Sequence, residues 1–272
     1  MNNKLYTLLM LAGFFLLSCQ EKQESLTILS YNIKNDYQKE GQNNWASRKE
    51  ALVEQLDSIQ PTIFGVQEAL FNQLADLKTG LKNYEYSGLS RDGSTENGEF
   101  TAIFYHKDKV QLRSSETNWF GGKKGQKHLD AAFPRIYTSA IFQTKSGIIF
   151  QVINTHLDHI GEASRVASAE ELNRLGQKKD IPQILLGDFN AMPDSEPIQT
   201  LKNQWQDSRK TQDTRYSGTF NGFNDDMKPL RIDYIFYRDQ NPEYQVHLHR
   251  RMKNNRYISD HYPVIATFNF KR

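Results

Sequence analysis

Short apolar runs recur along this chain, separated by polar stretches rich in Gly, Asn, Asp and Pro. "SLTILSYNI" (Ser25 to Ile33) is dense in β-branched and apolar residues and predicts a strand. "NNWASRKEALVEQLDSIQP" predicts a helix: Asn44 can cap it, Leu52, Leu56 and Ile59 recur at helical spacing, and Pro61 stops it. "TIFGVQEA" (Thr62 to Ala69) is too short for a helix and predicts a buried strand ending at a carboxylate. Further strands are predicted at Phe100 to His106, Arg135 to Thr144 and Gly147 to Leu157, the last two joined by a "KSG" hairpin turn. A helix over "GEASRVASAEELNRLGQ" then precedes the strand that opens "QILLGDFN". "RIDYIFY" (Arg231 to Tyr237) and "ISDHYPVIATFNF" (Ile258 to Phe270) complete the strand-forming stretches, while polar, Gly-rich loops are expected between Tyr86 and Lys127. Helices interspersed with hairpin-like strand pairs imply an α/β protein with mixed sheets. Trp45, Trp119 and Trp205 are read as packing residues.

The apolar runs share one habit: they end in polar groups able to bind metal or phosphate. Asn32 follows "LSY", Glu68 "FGVQ", His156 "VINT", Asp188 and Asn190 "ILLG", Asp233 "RI", and Asp260 with His261 "IS". Strand ends are where open α/β sheets place ligands. "GDFN" alone also fits a plain turn, since Gly tolerates positive φ and Asx side chains bond their own backbone. Carboxylates, amides and imidazoles without a thiolate favour a hard cation such as Mg²⁺ or Mn²⁺ over structural Zn²⁺.

Composition changes this picture little. The chain has 272 residues, 34 Lys+Arg against 32 Asp+Glu, and 38% hydrophobic content, which fits one globular domain without a polyelectrolyte character. The amino terminus does change it. Lys4 precedes the uncharged, mostly apolar stretch Leu5 to Leu17, a length that suits a signal segment better than a membrane span. It ends in "LLSC", whose Cys19 is the single cysteine of the protein. The segment resembles a bacterial lipoprotein signal. This implies a signal peptide over 1–18, a lipidated tether over 19–25 and a domain over 26–272, held at the cell envelope by lipid on Cys19. An ordinary secretory signal is the alternative. With no further cysteine, the mature domain can form no internal disulfide.

"SYNI", "GVQE", "NTHLDH", "GDFNAMP", "RIDYIF" and "SDHYPV" occur in that order from Leu26 to Phe270, and together they resemble the endonuclease/exonuclease/phosphatase superfamily. The resemblance implies a DNase I-like four-layer α/β sandwich: two mixed sheets face to face, helices outside. It also implies a metal-dependent phosphoester hydrolase. On the same grounds Asn32, Glu68 and Asp260 would lie at the Mg²⁺ or Mn²⁺. Asp188 would orient or deprotonate the attacking water and Asn190 would hold that group and the phosphate. Asp233 would pair with His261, while His156 and Arg135 would contact phosphate oxygens. Asp158 is either a further substrate contact or a loop cap.

The substrate is less legible. "SGLSRDGSTENGEFTAIFY" resembles a bacterial branch of the superfamily in which Arg91, Asp92 and Glu99 would flank the site, in reach of sugar hydroxyls or polar head groups. Acidic loop residues disfavour a polyanion. The basic clusters "GGKKGQKH" and "HLHRRMKNNR" leave an extracytoplasmic nuclease as the second reading. A site adapted to a non-phosphate substrate such as a glycan, or to binding alone, is the third. The domain is expected to act as a monomer.

Overall fold

The computed structural model describes residues 24–176, 180–209, 218–238 and 242–270. The signal segment and Cys19 lie outside them. One sheet contains β1 (Glu24–Asn32), β2 (Ile63–Gln67), β3 (Tyr84–Ser87), β4 (Ile103–His106), β11 (Pro242–His247) and β12 (Val264–Phe270), in the order β11-β12-β1-β2-β4-β3. The other contains β5 (Val110–Trp119), β6 (Ile136–Thr144), β7 (Ile149–His156), β8 (Gln183–Asp188), β9 (Gln206–Asp207) and β10 (Asp233–Arg238), in the order β5-β6-β7-β8-β10-β9. Each sheet mixes parallel and antiparallel pairs; β1 runs parallel to β2 and β7 parallel to β8.

Successive strand residues face opposite ways, and this alternation builds four layers. Ile28 of β1 and Ile184 and Leu186 of β8 bury against each other between the sheets. Leu29 and Tyr31 instead face α1 (Trp45–Ile59) and α2 (Phe71–Gly80), meeting Leu52, Leu56, Leu74 and Leu77. Leu185 and Phe236 face α3 (Glu162–Gly176) and α4 (Glu196–Lys202), meeting Leu172 and Leu201. The result is the DNase I-like four-layer α/β sandwich. α1 starts where its sequence says: Asn44 Oδ1 accepts the Ser47 amide at 2.9 Å, and Gln60 closes the helix in the left-handed region.

The stretch from Tyr86 to Lys127 departs from the loop expectation, because it contains the ten-residue strand β5. This strand forms the edge of its sheet and much of it is solvent-exposed, so its sequence "VQLRSSETNW" lacks an apolar face. "ISDHYPVIATFNF" begins as a turn and becomes strand only at Val264. Trp45, Trp119 and Trp205 are all buried.

The same alternation that puts Ile28, Val152, Ile184 and Ile235 between the sheets puts Asn32, His156, Asp188 and Asp233 on that inner side, at the strand ends. β10 starts where β8 stops, so Asp233 pairs directly with Asp188; His156 pairs with Asp188 from the other flank. β12 starts beside the end of β1, pairing Val264 with Ser30, and this brings Asp260 and His261 to the same edge.

Candidate active site

Two glycines make room for this edge. A Cβ on Gly65 would sit 2.2 Å from Leu186 Cδ1 and 2.7 Å from Asn154 Cγ, so only glycine lets β2 approach β7 and β8 this closely. At Gly187 a Cβ would lie 2.1 Å from the Thr155 carbonyl oxygen. "GDFN" is thus a close-contact turn that also sets Asp188 and Asn190 at this edge. Beneath the site, Gln67 donates to Asn154 Oδ1 at 2.7 Å and Asn154 donates to the Val66 and Ala102 carbonyls, so the Asn154 amide is fully partnered within the protein.

Asp188, almost fully buried, stands at the centre. Its Oδ2 accepts from Asn32 Nδ2 at 2.9 Å and its Oδ1 accepts from the Asn190 amide at 2.9 Å. Two imidazoles flank it, with His156 Nε2 at 3.7 Å and His261 Nε2 at 3.8 Å. The other nitrogen of His261, Nδ1, is 2.8 Å from Asp233 Oδ2. Burial would depress the His261 pKa, but Asp233, Asp188 and Asp260 outweigh it and raise it to about 10, so the ring is an imidazolium at neutral pH. Burial, and then repulsion from Asp233, push the Asp188 carboxyl up to about 7. His156 goes the other way: burial and the nearby Arg135 and Arg91 hold it well below the usual imidazole range, hence neutral. One carboxylate near neutrality between a neutral and a charged imidazole is suited to proton transfer.

A second acidic centre adjoins the first. Glu68 follows β2 at φ 59°, a left-handed conformation uncommon for a non-glycine residue. Asn32 Nδ2 bridges it to Asp188, donating to Glu68 Oε1 at 3.1 Å, while Asn35 donates to Glu68 Oε2 at 2.7 Å. The Lys34 ammonium lies 3.4 Å from Glu68 Oε2 and 3.5 Å from Asp260 Oδ2. Burial opposes ionisation of Glu68, but Lys34, His261 and the two asparagines prevail and lower its pKa; Asp260 is raised, chiefly by burial. A buried carboxylate, Asp260, and a largely covered one, Glu68, that already share a cation, with no sulfur among these neighbours, fit an oxygen-seeking divalent ion. Asp188, Asp233 and His261 form another compact group, with ligand atoms within 4.8 Å of one another. There, however, the Asp233 bond and the proton on His261 make a relay a better description than a metal cage.

The residues expected beside the phosphate are also brought together. Arg135 Nε donates to Asp158 Oδ2 at 3.0 Å, and its Nη2 lies 2.9 Å from His159 Nδ1. Asp158 also accepts the backbone amides of Ala132, Ile160 and Gly161. Burial alone would raise its pKa, yet these donors hold it far below the usual carboxylate range. With both oxygens committed, Asp158 orients Arg135 and is not a free substrate contact. Asn190, at φ 47°, donates from Nδ2 to the Leu157 carbonyl and so ties the "GDFN" turn to the end of β7. Arg91 donates to Glu99 Oε2 at 2.8 Å and lies over the Phe133 ring at 4.3 Å.

Several contributors are not foreseen from sequence. Asn35 and Lys34 lie in "NIKND", directly after a recognised motif, and their polarity was a usable signal. Arg48 gives none. It sits on α1 like any surface charge, yet it is fully buried and donates to the carbonyls of Asn43, Ile33, Lys34 and Ile258, clamping the turn after β1 to the turn that carries Asp260. Thr219 and Asn221 act similarly. Thr219 Oγ1 accepts the Asp233 amide, and Asn221 donates to the Ser259 carbonyl.

A four-layer sandwich with carboxylates and imidazoles converging at its strand ends defines a phosphoesterase-type fold. The sequence profile of the Endonuclease/Exonuclease/phosphatase family matches residues 29–261, and the chain belongs to that family. Among solved structures it is similar to an endonuclease/exonuclease/phosphatase from Bacteroides vulgatus. The two are 30% identical, the match covers 92% of this chain and 100% of the other, and the TM-score is 0.83. It is also similar to a mannosyl-6-phosphatase from Bacteroides thetaiotaomicron, at 32% identity, 90% and 100% coverage and a TM-score of 0.80. Carbon catabolite repressor protein 4 homolog 3 of Arabidopsis thaliana is 27% identical over 63% of this chain, which spans only 41% of that relative.

Proposed function

We propose that this chain is a Mg²⁺- or Mn²⁺-dependent phosphoester hydrolase. It acts outside the cytoplasm, tethered by lipid on Cys19, on a small-molecule, sugar or head-group phosphoester. The observation that carries the reading is the placement of Asp188, with its pKa near 7, between Asn32 and the Asp233–His261 pair and beside the acids Glu68 and Asp260. Glu68 and Asp260, with Asn32 beside them, would hold the divalent ion, which when bound supplies charge stabilisation at the phosphoryl oxygens. Asp188 takes a proton from the attacking water, held in line by Asn190. His261, kept charged by Asp233, donates to a phosphoryl oxygen. Arg135, fixed by Asp158, offers its remaining guanidinium donors to the phosphate. The mannosyl-6-phosphatase relative supports a sugar phosphate, and the near balance of charge argues against a polyanion.

A panel of sugar phosphates, head-group phosphoesters, nucleotides, DNA and RNA, assayed with Mg²⁺ or Mn²⁺ and with EDTA, tests the proposal. Turnover of a small phosphoester that EDTA abolishes is the expected result. Preference for DNA or RNA moves the reading to a nuclease. No turnover of any phosphoester by folded protein overturns the hydrolase and leaves a glycan substrate or binding alone.

A further inference from the structure

The two ends of β1 stand at opposite poles of the molecule. Asn32, its last residue, lies at the active centre, while Glu24, its first, lies at the far pole. Glu24 is held there from both sheets. It pairs with Phe270 of β12, and its carboxylate accepts the Ser146 hydroxyl in the turn between β6 and β7. Leu26, two residues further on, is buried between the sheets, so peeling this end of the strand away would expose part of the core.

Glu24 is the fifth residue after Cys19. Five residues reach at most about 18 Å even when fully extended. The nine residues of β1 span about 26 Å, at roughly 3.3 Å per step. For the active-site edge to meet the bilayer that holds lipid on Cys19, Glu24 would have to stand at least that strand length above the surface. The chain between them is too short. Exposed apolar side chains do stand along the active-site edge: Tyr37 after β1, Phe133 before β6, Ile160 after β7 and Met192 after β8. Taken alone, they would suit insertion into lipid. For the anchoring bilayer, the difference in length decides against it.

We propose that the anchored protein stands on the pole that carries Glu24 and the turn at Ser146, with its active-site edge turned away from the bilayer that holds it. The Glu24 pole is then the surface apposed to the lipid headgroups. The substrate is a phosphoester dissolved on the aqueous side, not a headgroup of the same membrane. This rests on the proposed lipid at Cys19 and narrows the proposed substrate class.

The test places the lipidated full-length protein in phosphatidylethanolamine–phosphatidylglycerol vesicles that carry an acceptor dye on a headgroup. A donor dye is attached at one introduced thiol, which is unique because lipidation consumes Cys19. Lys145→Cys labels the Glu24 pole and Met192→Cys the active-site edge, and resonance energy transfer reads the height of each. The Lys145→Cys label is expected to lie nearer the bilayer by about 20 Å or more. Inserting about twenty Gly/Ser residues after Gln23 lengthens the tether beyond the strand and should erase most of that difference. Equal heights in anchored protein, or a lower Met192→Cys label, overturn the orientation. So does a difference that survives the insertion, since the tether would then not set it. Native protein whose Cys19 carries no lipid by mass spectrometry overturns the anchor, and the orientation with it.

Discussion

On the proposed mechanism Asp188 and His261 act in the chemical step, so their removal should register in kcat. General acid–base groups contribute ~10²–10⁴-fold, and donors to a phosphoryl transition state a similar amount. Asp188→Asn and His261→Ala should each lower kcat by at least ~10²-fold with little change in KM, and the double variant should lose less than the product of the two. Steady-state kinetics decides; near wild-type kcat in either variant removes that residue from the mechanism. The pH dependence follows from the same pair. Asp188 must be ionised and its pKa is raised to about 7, so kcat/KM should rise with pH up to that value; a bound cation moves this limb lower. His261 must stay protonated, which it does until about pH 10, largely through Asp233. Asp233→Asn should therefore bring the alkaline limb down in pH, and an alkaline limb that does not move would separate Asp233 from His261. At this scale most of the site was legible. Asn32, Glu68, His156, Asp188, Asp233 and His261 end apolar strands, and that pattern survives in a linear sequence. Asp158 was less so, because apart from Arg135 its partners are backbone amides, which no side-chain pattern reveals.

Among elements, the strands buried on both faces were readable because β2 and β8 are continuous apolar runs. The edge strand β5 and the short α4 were not, the first for want of an apolar face and the second for its length of seven residues. Nor could the sequence tell that Gly65 marks the point where the sheets approach. Gly65→Ala places a methyl 2.2 Å from Leu186, and overpacking of this kind costs about 1–3 kcal/mol. It should lower the thermal midpoint and, by shifting Asn154 and Gln67 beneath the active centre, also lower kcat. Calorimetry together with kinetics checks both. An alanine variant of wild-type stability would mean that the two sheets have slack at this point.

For the whole molecule, the two sheets bring to one edge groups that are far apart in sequence, from Asn32 to His261, and no pairing of distant segments can be read from periodicity alone. Among the described residues no helix is long and apolar enough to cross a membrane. Membrane association is proposed to rest on lipid at Cys19. Native protein should partition with membranes and Cys19→Ala protein should not; unmodified native protein in the soluble fraction would refute the anchor. On the proposed reading, oxygen ligands, Glu68 foremost, hold a divalent cation needed for phosphoester hydrolysis. The most direct measurement is a Mg²⁺ titration of EDTA-stripped wild type and Glu68→Gln, following heat of binding and hydrolysis together. Saturable binding with parallel recovery of activity is expected in wild type, and binding weakened by at least ~10-fold in Glu68→Gln, as expected when one charged ligand is lost. Equal Mg²⁺ affinity and equal activity in the two proteins would contradict it.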